Sequence, residues 1–172
     1  MDNKLEDLSL LDTSETYSIL YNKDGSIKPF YILSSERDIK ETQIRSDENE
    51  LDYKYSQGLI NKEEYEEEKD NLEFKLLNQN RIYSDLIFME IDDKSIEDIK
   101  EELTNASLNK IELERLAISL SSIIEKKLDE FKNNNQNFKE EELELWNYKY
   151  NRLAHIYSKI REIESFVHNL NE

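Results

Sequence analysis

From residue 35 onward the apolar positions recur every three or four residues between charged ones, the spacing of helices that bury one face. Ser35, with Asp38 at the capping-box position, predicts a helix to about residue 56 carrying Ile39, Ile44, Leu51 and Tyr55. Gly58 stops it. Asn61 then caps a long helix to about residue 91, with Tyr65, Leu72, Leu76, Tyr83 and Ile87 on one face. Asp93 or Ser95 opens a shorter helix with Ile96, Ile99 and Leu103. Ser107 or Asn109 opens the next, carrying Leu113, Leu116, Leu120, Ile123, Ile124, Leu128 and Phe131. Residues 133–137 read as a polar loop. The last helix, about residues 138–170, sets Leu143, Trp146, Tyr150, Leu153, Tyr157, Ile160 and Val167 on an alternating three-four seam interrupted by Glu164.

The first 34 residues follow a different pattern. TYSILY at residues 16–21 and SIKPFYIL at residues 26–33 read as short strands, and Asp24-Gly25 between them tolerates the positive φ of a tight reversal. A β-hairpin is expected. Tyr17, Ile19 and Tyr21 would share one face, packed on the helices or exposed as an edge that adds a strand to a partner's sheet. Pro29 cannot donate a ladder hydrogen bond, which puts the second strand at an edge or a bulge. The expected architecture is therefore mainly α: an antiparallel helical bundle of long amphipathic helices with a small N-terminal β-hairpin. Residues 1–34 are tail and hairpin and residues 35–172 the bundle of a single domain.

Composition sharpens this. Two Gly and one Pro leave little for glycine-rich phosphate loops, and the absence of Cys excludes disulfides, thiolate nucleophiles and Cys-containing zinc sites. No stretch approaches the roughly 18 apolar residues of a membrane span, and MDNKLEDLSLLDTSE has no basic leader, which points to a cytoplasmic protein. The balance of 40 Asp and Glu against 23 Lys and Arg gives a formal charge of −17. Such a field repels nucleic acid and acidic membranes and attracts basic protein surfaces, so the expected partner is a protein with a basic surface.

Within residues 61–94, eleven acids meet five bases, a net of −6. At about 100° per residue, Glu63, Glu66, Glu67, Asp70 and Glu73 fall in an arc of about 120° turned away from the Tyr65 face. A row of carboxylates on a rigid helix can imitate a nucleic-acid backbone; a solvated helix face whose first acids complement the macrodipole gives the same pattern. Glu140, Glu141, Glu142 and Glu144 form a second run at a helix start. The C-terminal seam also has two readings. It can pack within the bundle, or its Trp146, Tyr150 and Tyr157 can drive self-association into a homodimer, since Trp and Tyr are rich in interface cores.

Residues 50–72, ELDYKYSQGLINKEEYEEEKDNL, resemble the helical hairpin of the short C-terminal domain called SHOCT. The matching positions are a helix ending at Gly58, the apolar pair Leu59 and Ile60, and a helix capped by Asn61 with Glu63, Glu64 and Tyr65 in its first turn. The resemblance implies a small interaction module with no enzymatic activity. In size and composition the whole chain also resembles the small acidic proteins of phages and mobile elements that block restriction or CRISPR nucleases, and its heavy use of Asn, Lys, Ile and Glu suits an AT-rich genome.

Catalytic signals are absent from the sequence. His155 and His168 are its histidines, and neither follows a Glu by three residues as in di-iron bundles; His155 is expected half-buried near the seam and His168 on the surface. HExxH, GxSxG, Walker and EF-hand patterns do not occur. No cofactor or metal is expected, and no enzyme. The reading is a non-enzymatic inhibitor that occupies a basic nucleic-acid-binding surface of a host enzyme, with Glu63, Glu66, Glu67, Asp70 and Glu73 as its contact residues. The alternatives are a structural or adaptor protein that self-associates through the C-terminal helix, and an antitoxin or immunity protein.

Overall fold

The computed structural model describes residues 19–133 and 138–170. Among them run five helices: α1 (Phe30–Ser56), α2 (Lys62–Asp93), α3 (Ile96–Asn105), α4 (Lys110–Asn133) and α5 (Glu140–His168). The protein is mainly α. Helices α1 and α2 pack along each other as one hairpin, α4 and α5 as another, and the two hairpins meet where α2 touches α5 and α1 touches α4. The short α3 lies on α5. This is a helical bundle with short connections. Among the described residues, no helix is long and apolar enough to cross a membrane.

The main core draws on Phe30 and Leu33 of α1, residues 82–91 of α2, Ile99 and Leu103 of α3, and the inner faces of α4 and α5. On α5 the buried residues are Leu153, Ile156, Ile160, Ile163 and Val167, spaced 3-4-3-4. The seam thus runs through Ile156 and Ile163 and not through Tyr157 and Glu164, which lie one position to the side and are only half-buried. His155 is exposed, against the expectation of partial burial, because it stands about 200° around the helix from Leu153.

Local chemistry sets most helix ends. At the end of α1, Gly58 takes φ +70°, its N–H donates to Tyr55 O at 3.1 Å, and Leu59 N–H donates to Lys54 O at 3.0 Å. Those two bonds are a Schellman motif, which needs the left-handed residue that Gly supplies without a Cβ penalty. Asn61 Oδ1 accepts from Glu64 N–H at 2.9 Å at the start of α2, and Ser95 Oγ from Asp98 N–H at 3.1 Å at the start of α3. Asn109 and Glu112 cap α4 reciprocally, at 2.9 and 3.2 Å.

The described residues do not support the N-terminal β-hairpin. Residues 16–18 lie outside the described residues, Ile19 and Leu20 are helical, and the only strand pairing among the described residues is an isolated antiparallel bridge between Tyr21 and Ile27. The reversal itself is present: Gly25 has φ +88°, and Asp24 Oδ1 accepts from Ser26 N–H at 2.9 Å. The second expected strand is the first turn of α1, which therefore begins at Phe30, five residues before the expected cap Ser35. Pro29, at φ −67°, is set for helix entry and loses no intrahelical bond there, and Phe30 and Leu33 then fall one turn apart and are both fully buried.

One cation clamps the bend after α2. Lys159 of α5 donates to the carbonyls of Ile91, Asp92 and Lys94 at 3.0, 2.9 and 2.7 Å, filling acceptors that the end of α2 leaves open. Arg152 holds Asp92 through two bonds at 3.0 and 2.8 Å. Lys94 ties Glu90 to Glu102 at 2.8 and 2.7 Å, and burial still holds the Glu90 carboxyl above its ordinary pKa. Lys159→Met keeps the stem but removes the ammonium that three carbonyls share, leaving Ile91 O only its long 3.4 Å bond from Lys94 N–H, so a urea titration is expected to show a loss of about 1–3 kcal/mol. Gly58→Ala meets no atom within 4 Å, so only backbone strain acts; the same titration is expected to show a loss of about 1–2 kcal/mol.

Candidate functional site

Beyond the main core the α1–α2 hairpin continues as a two-helix arm. Ile44, Leu51 and Leu76 are buried but stand outside the core cluster, between the two helices of the arm. Among the described residues, no hydrogen bond, ion pair or ring contact joins residues 41–76 to α3, α4 or α5. At 1.5 Å per residue, the stretch of α2 from residue 62 to residue 76 reaches about 20 Å. Near the tip, Tyr55 and Tyr65 stack with centroids 4.4 Å apart and planes 13° from parallel. The Tyr65 hydroxyl donates to Asp52 Oδ1 at 2.6 Å, and Lys69 Nζ donates to the Tyr65 oxygen at 2.8 Å and meets Asp52 at 3.4 Å. The Tyr65 hydroxyl, with help from Lys69, holds the Asp52 carboxyl below its usual pKa; the Tyr65 oxygen, with Asp52, holds Lys69 above its own.

The arm concentrates the negative charge. Residues 47–73 hold eleven acids and three bases, a net of −8 out of −17 for the chain. Glu63, Glu66, Glu67, Asp70 and Glu73 are all exposed on α2, in the stripe that the sequence predicts. Glu66 meets Lys62 at 3.8 Å, and among the described residues the other four form no ion pair. The folded hairpin adds Asp47, Glu48, Glu50 and Asp52 from α1, which sequence reasoning missed. The available signal was Gly58 followed by Asn61, which doubles the acidic C-terminal half of α1 back alongside α2. Two apolar side chains, Phe74 at 72% exposure and Leu77 at 62%, continue α2 just beyond the stripe, and Tyr53 and Leu59 are exposed near the tip.

The aromatic residues of α5 turn back onto their own chain. Trp146 donates its indole N–H to Phe131 O at 2.9 Å and stacks on Tyr150 with centroids 5.0 Å apart. Tyr157 accepts from Arg161 Nε at 2.8 Å, and that guanidinium lies 4.9 Å from its ring centroid. All three rings are half-buried against the core. Of the second acidic run, Glu140, Glu141 and Glu142 fill the first turn of α5, where carboxylates offset the unpaired N–H groups of a helix start. No family model, curated protein or solved structure matches this chain.

Proposed function

We propose that this chain is a non-enzymatic inhibitor that binds a protein through its acidic arm, occupying a basic nucleic-acid-binding surface of a host enzyme as anti-restriction or anti-CRISPR proteins of phages and mobile elements do. The observation that carries the reading is the placement of a net −8 on a narrow two-helix projection, on which Glu63, Glu67, Asp70 and Glu73 are exposed and form no ion pair among the described residues. A groove built for phosphate charge is lined by Lys and Arg and has the width of a nucleic-acid strand or duplex, and a thin acidic rod can enter it where the body cannot. Glu63, Glu67, Asp70 and Glu73 carry their full charge to that groove, since no intramolecular cation has to be displaced from them first. Phe74 and Leu77, next to the stripe, supply the apolar anchor that interface cores use, so that attraction at long range is followed by burial at contact.

The test replaces Glu63, Glu66, Glu67 and Glu73 with Gln and Asp70 with Asn. Wild-type protein, tagged and passed over a bacterial lysate, is expected to retain a nucleic-acid-processing enzyme at about 0.05 M salt and release it at about 0.5 M, where the Debye length falls to a few ångströms. The five-fold variant is expected to lose at least about tenfold in affinity for the enzyme so recovered while keeping its helical circular dichroism. Equal affinity for the recovered enzyme in the folded variant would remove the stripe from the mechanism.

A further inference from the structure

The sign of the surface reverses where the arm meets the body. A cleft of about 220 Å³ between α1, α2 and α4 is lined by Arg37, Arg81, Lys126 and Lys127, with Asn80 and Glu130 also on its wall. In a chain with 40 acids and 23 bases, four cations against one carboxylate in a single cleft invert the average surface. Lys127 is the most telling of the four. Its stem is buried, the residue being only 7% exposed on the inner face of α4 with Ile123, Ile124 and Leu128, while its ammonium reaches the cleft and forms no hydrogen bond or ion pair with any described residue. A buried stem that delivers an unpaired ammonium to a cleft wall leaves that charge free to meet an anion that enters.

Arg37 and Asn80 are under-used as well. Arg37 Nε is buried without a partner, and its Nη1 stands 3.5 Å from Asp38 and 3.6 Å from Glu41, longer than the roughly 2.7–2.9 Å of a charge-assisted bond. Asn80 Oδ1 is a buried acceptor without a donor. A ligand that satisfies all of these must accept several charged hydrogen bonds and donate one. Monohydrogen phosphate does both, since three oxygens that share its two negative charges accept and its P–OH donates, as a phosphomonoester does in its monoprotonated form, whereas an ionised carboxylate is acceptor-only and leaves Asn80 unfilled. The forked guanidinium groups of Arg37 and Arg81 match phosphate geometry, and a cleft below the roughly 300 Å³ of drug-sized sites takes a compact group.

We propose that this cleft binds a phosphate-type oxyanion, as the free ion or as the terminal group of a small phosphoester. The site is separate from the acidic arm, and either reading can fail without the other. Isothermal titration of the full chain with inorganic phosphate and with AMP, at about 0.05 M salt, tests it. One site is expected, and Lys127→Met, which keeps the buried stem and removes the charge, is expected to weaken binding by about tenfold or more with unchanged helicity. Should Lys127→Met fail to fold, Arg81→Gln and Lys126→Gln, at less buried positions, are expected to weaken binding in the same direction. Tighter binding of AMP than of phosphate assigns a phosphoester, and equal binding assigns the free ion. Absence of binding of both by the folded wild-type chain, or undiminished binding in the folded variants, overturns the proposal.

Discussion

Everything in the bundle leans on the inner seam of α5. Leu153, Ile156, Ile160, Ile163 and Val167 are each at most 2% exposed, and they are covered from three sides by α2, α3 and α4. Burying five such side chains is worth roughly 10 kcal/mol, the size of the whole net stability of an ordinary domain. The polar clamps come second and depend on it. Lys159 and Arg152 reach α2 only because the seam on the same helix fixes how α5 lies against the end of α2. The α2–α3 bend, in turn, sets where the long outer part of α2 points, so the direction of the arm is decided by contacts made at its far end.

The charge imposes a second constraint. A net of −17 on 172 residues opposes compaction, and the cost is least where carboxylates stay in water and apart from the core. The arm meets that condition, at the expense of having little to hold it. Between residues 44 and 76 it buries Ile44, Leu51 and Leu76, adds the Tyr55–Tyr65 stack, and relies on the Schellman turn and the Asn61 cap at its tip. Segments with few buried contacts and exposed helical hydrogen bonds open at lower free energy than the core, so the arm is where local unfolding is expected to begin.

The parts of this fold that the sequence made legible are those with a local cause. Gly58, Asn61, Ser95 and Asn109 sit where expected because the left-handed turn and the side-chain caps are chemistry within a few residues. The same holds for Asp24-Gly25, whose reversal forms even though no strand ladder follows it. What failed were assignments that depend on distant packing. SIKPFYIL alternates well enough to pass for a strand, and only the burial of Phe30 and Leu33 in the shared core selects the helical spacing. The spacing alone places the seam of α5 through Tyr157 because two apolar tracks run one residue apart there, and the partner helices choose between them. The acidic stripe on α2 was visible by angle alone, while its neighbours on α1 needed the hairpin to close. Lys127 gave no signal at all, since a lone cation among Ile and Leu on a helix reads as a solvated position until α1 and α2 cover it.

Arm and cleft carry opposite charges in opposite dielectric settings, and that difference governs how each can act. The carboxylates of the arm remain hydrated, so keeping them unpaired costs little and their field extends about 8 Å at physiological salt. They can bias an encounter before contact, and salt weakens them readily. Arg37 has already given up much of its hydration, and the buried stem of Lys127 holds its ammonium at the cleft wall. Their field is confined to the cleft and less screened, and it acts on a group that has entered. Repulsion by the surrounding −17 makes entry harder for any anion, which favours a small, densely charged group over an extended acidic chain, because a compact group places its full charge among the four cations while leaving little of itself facing the arm.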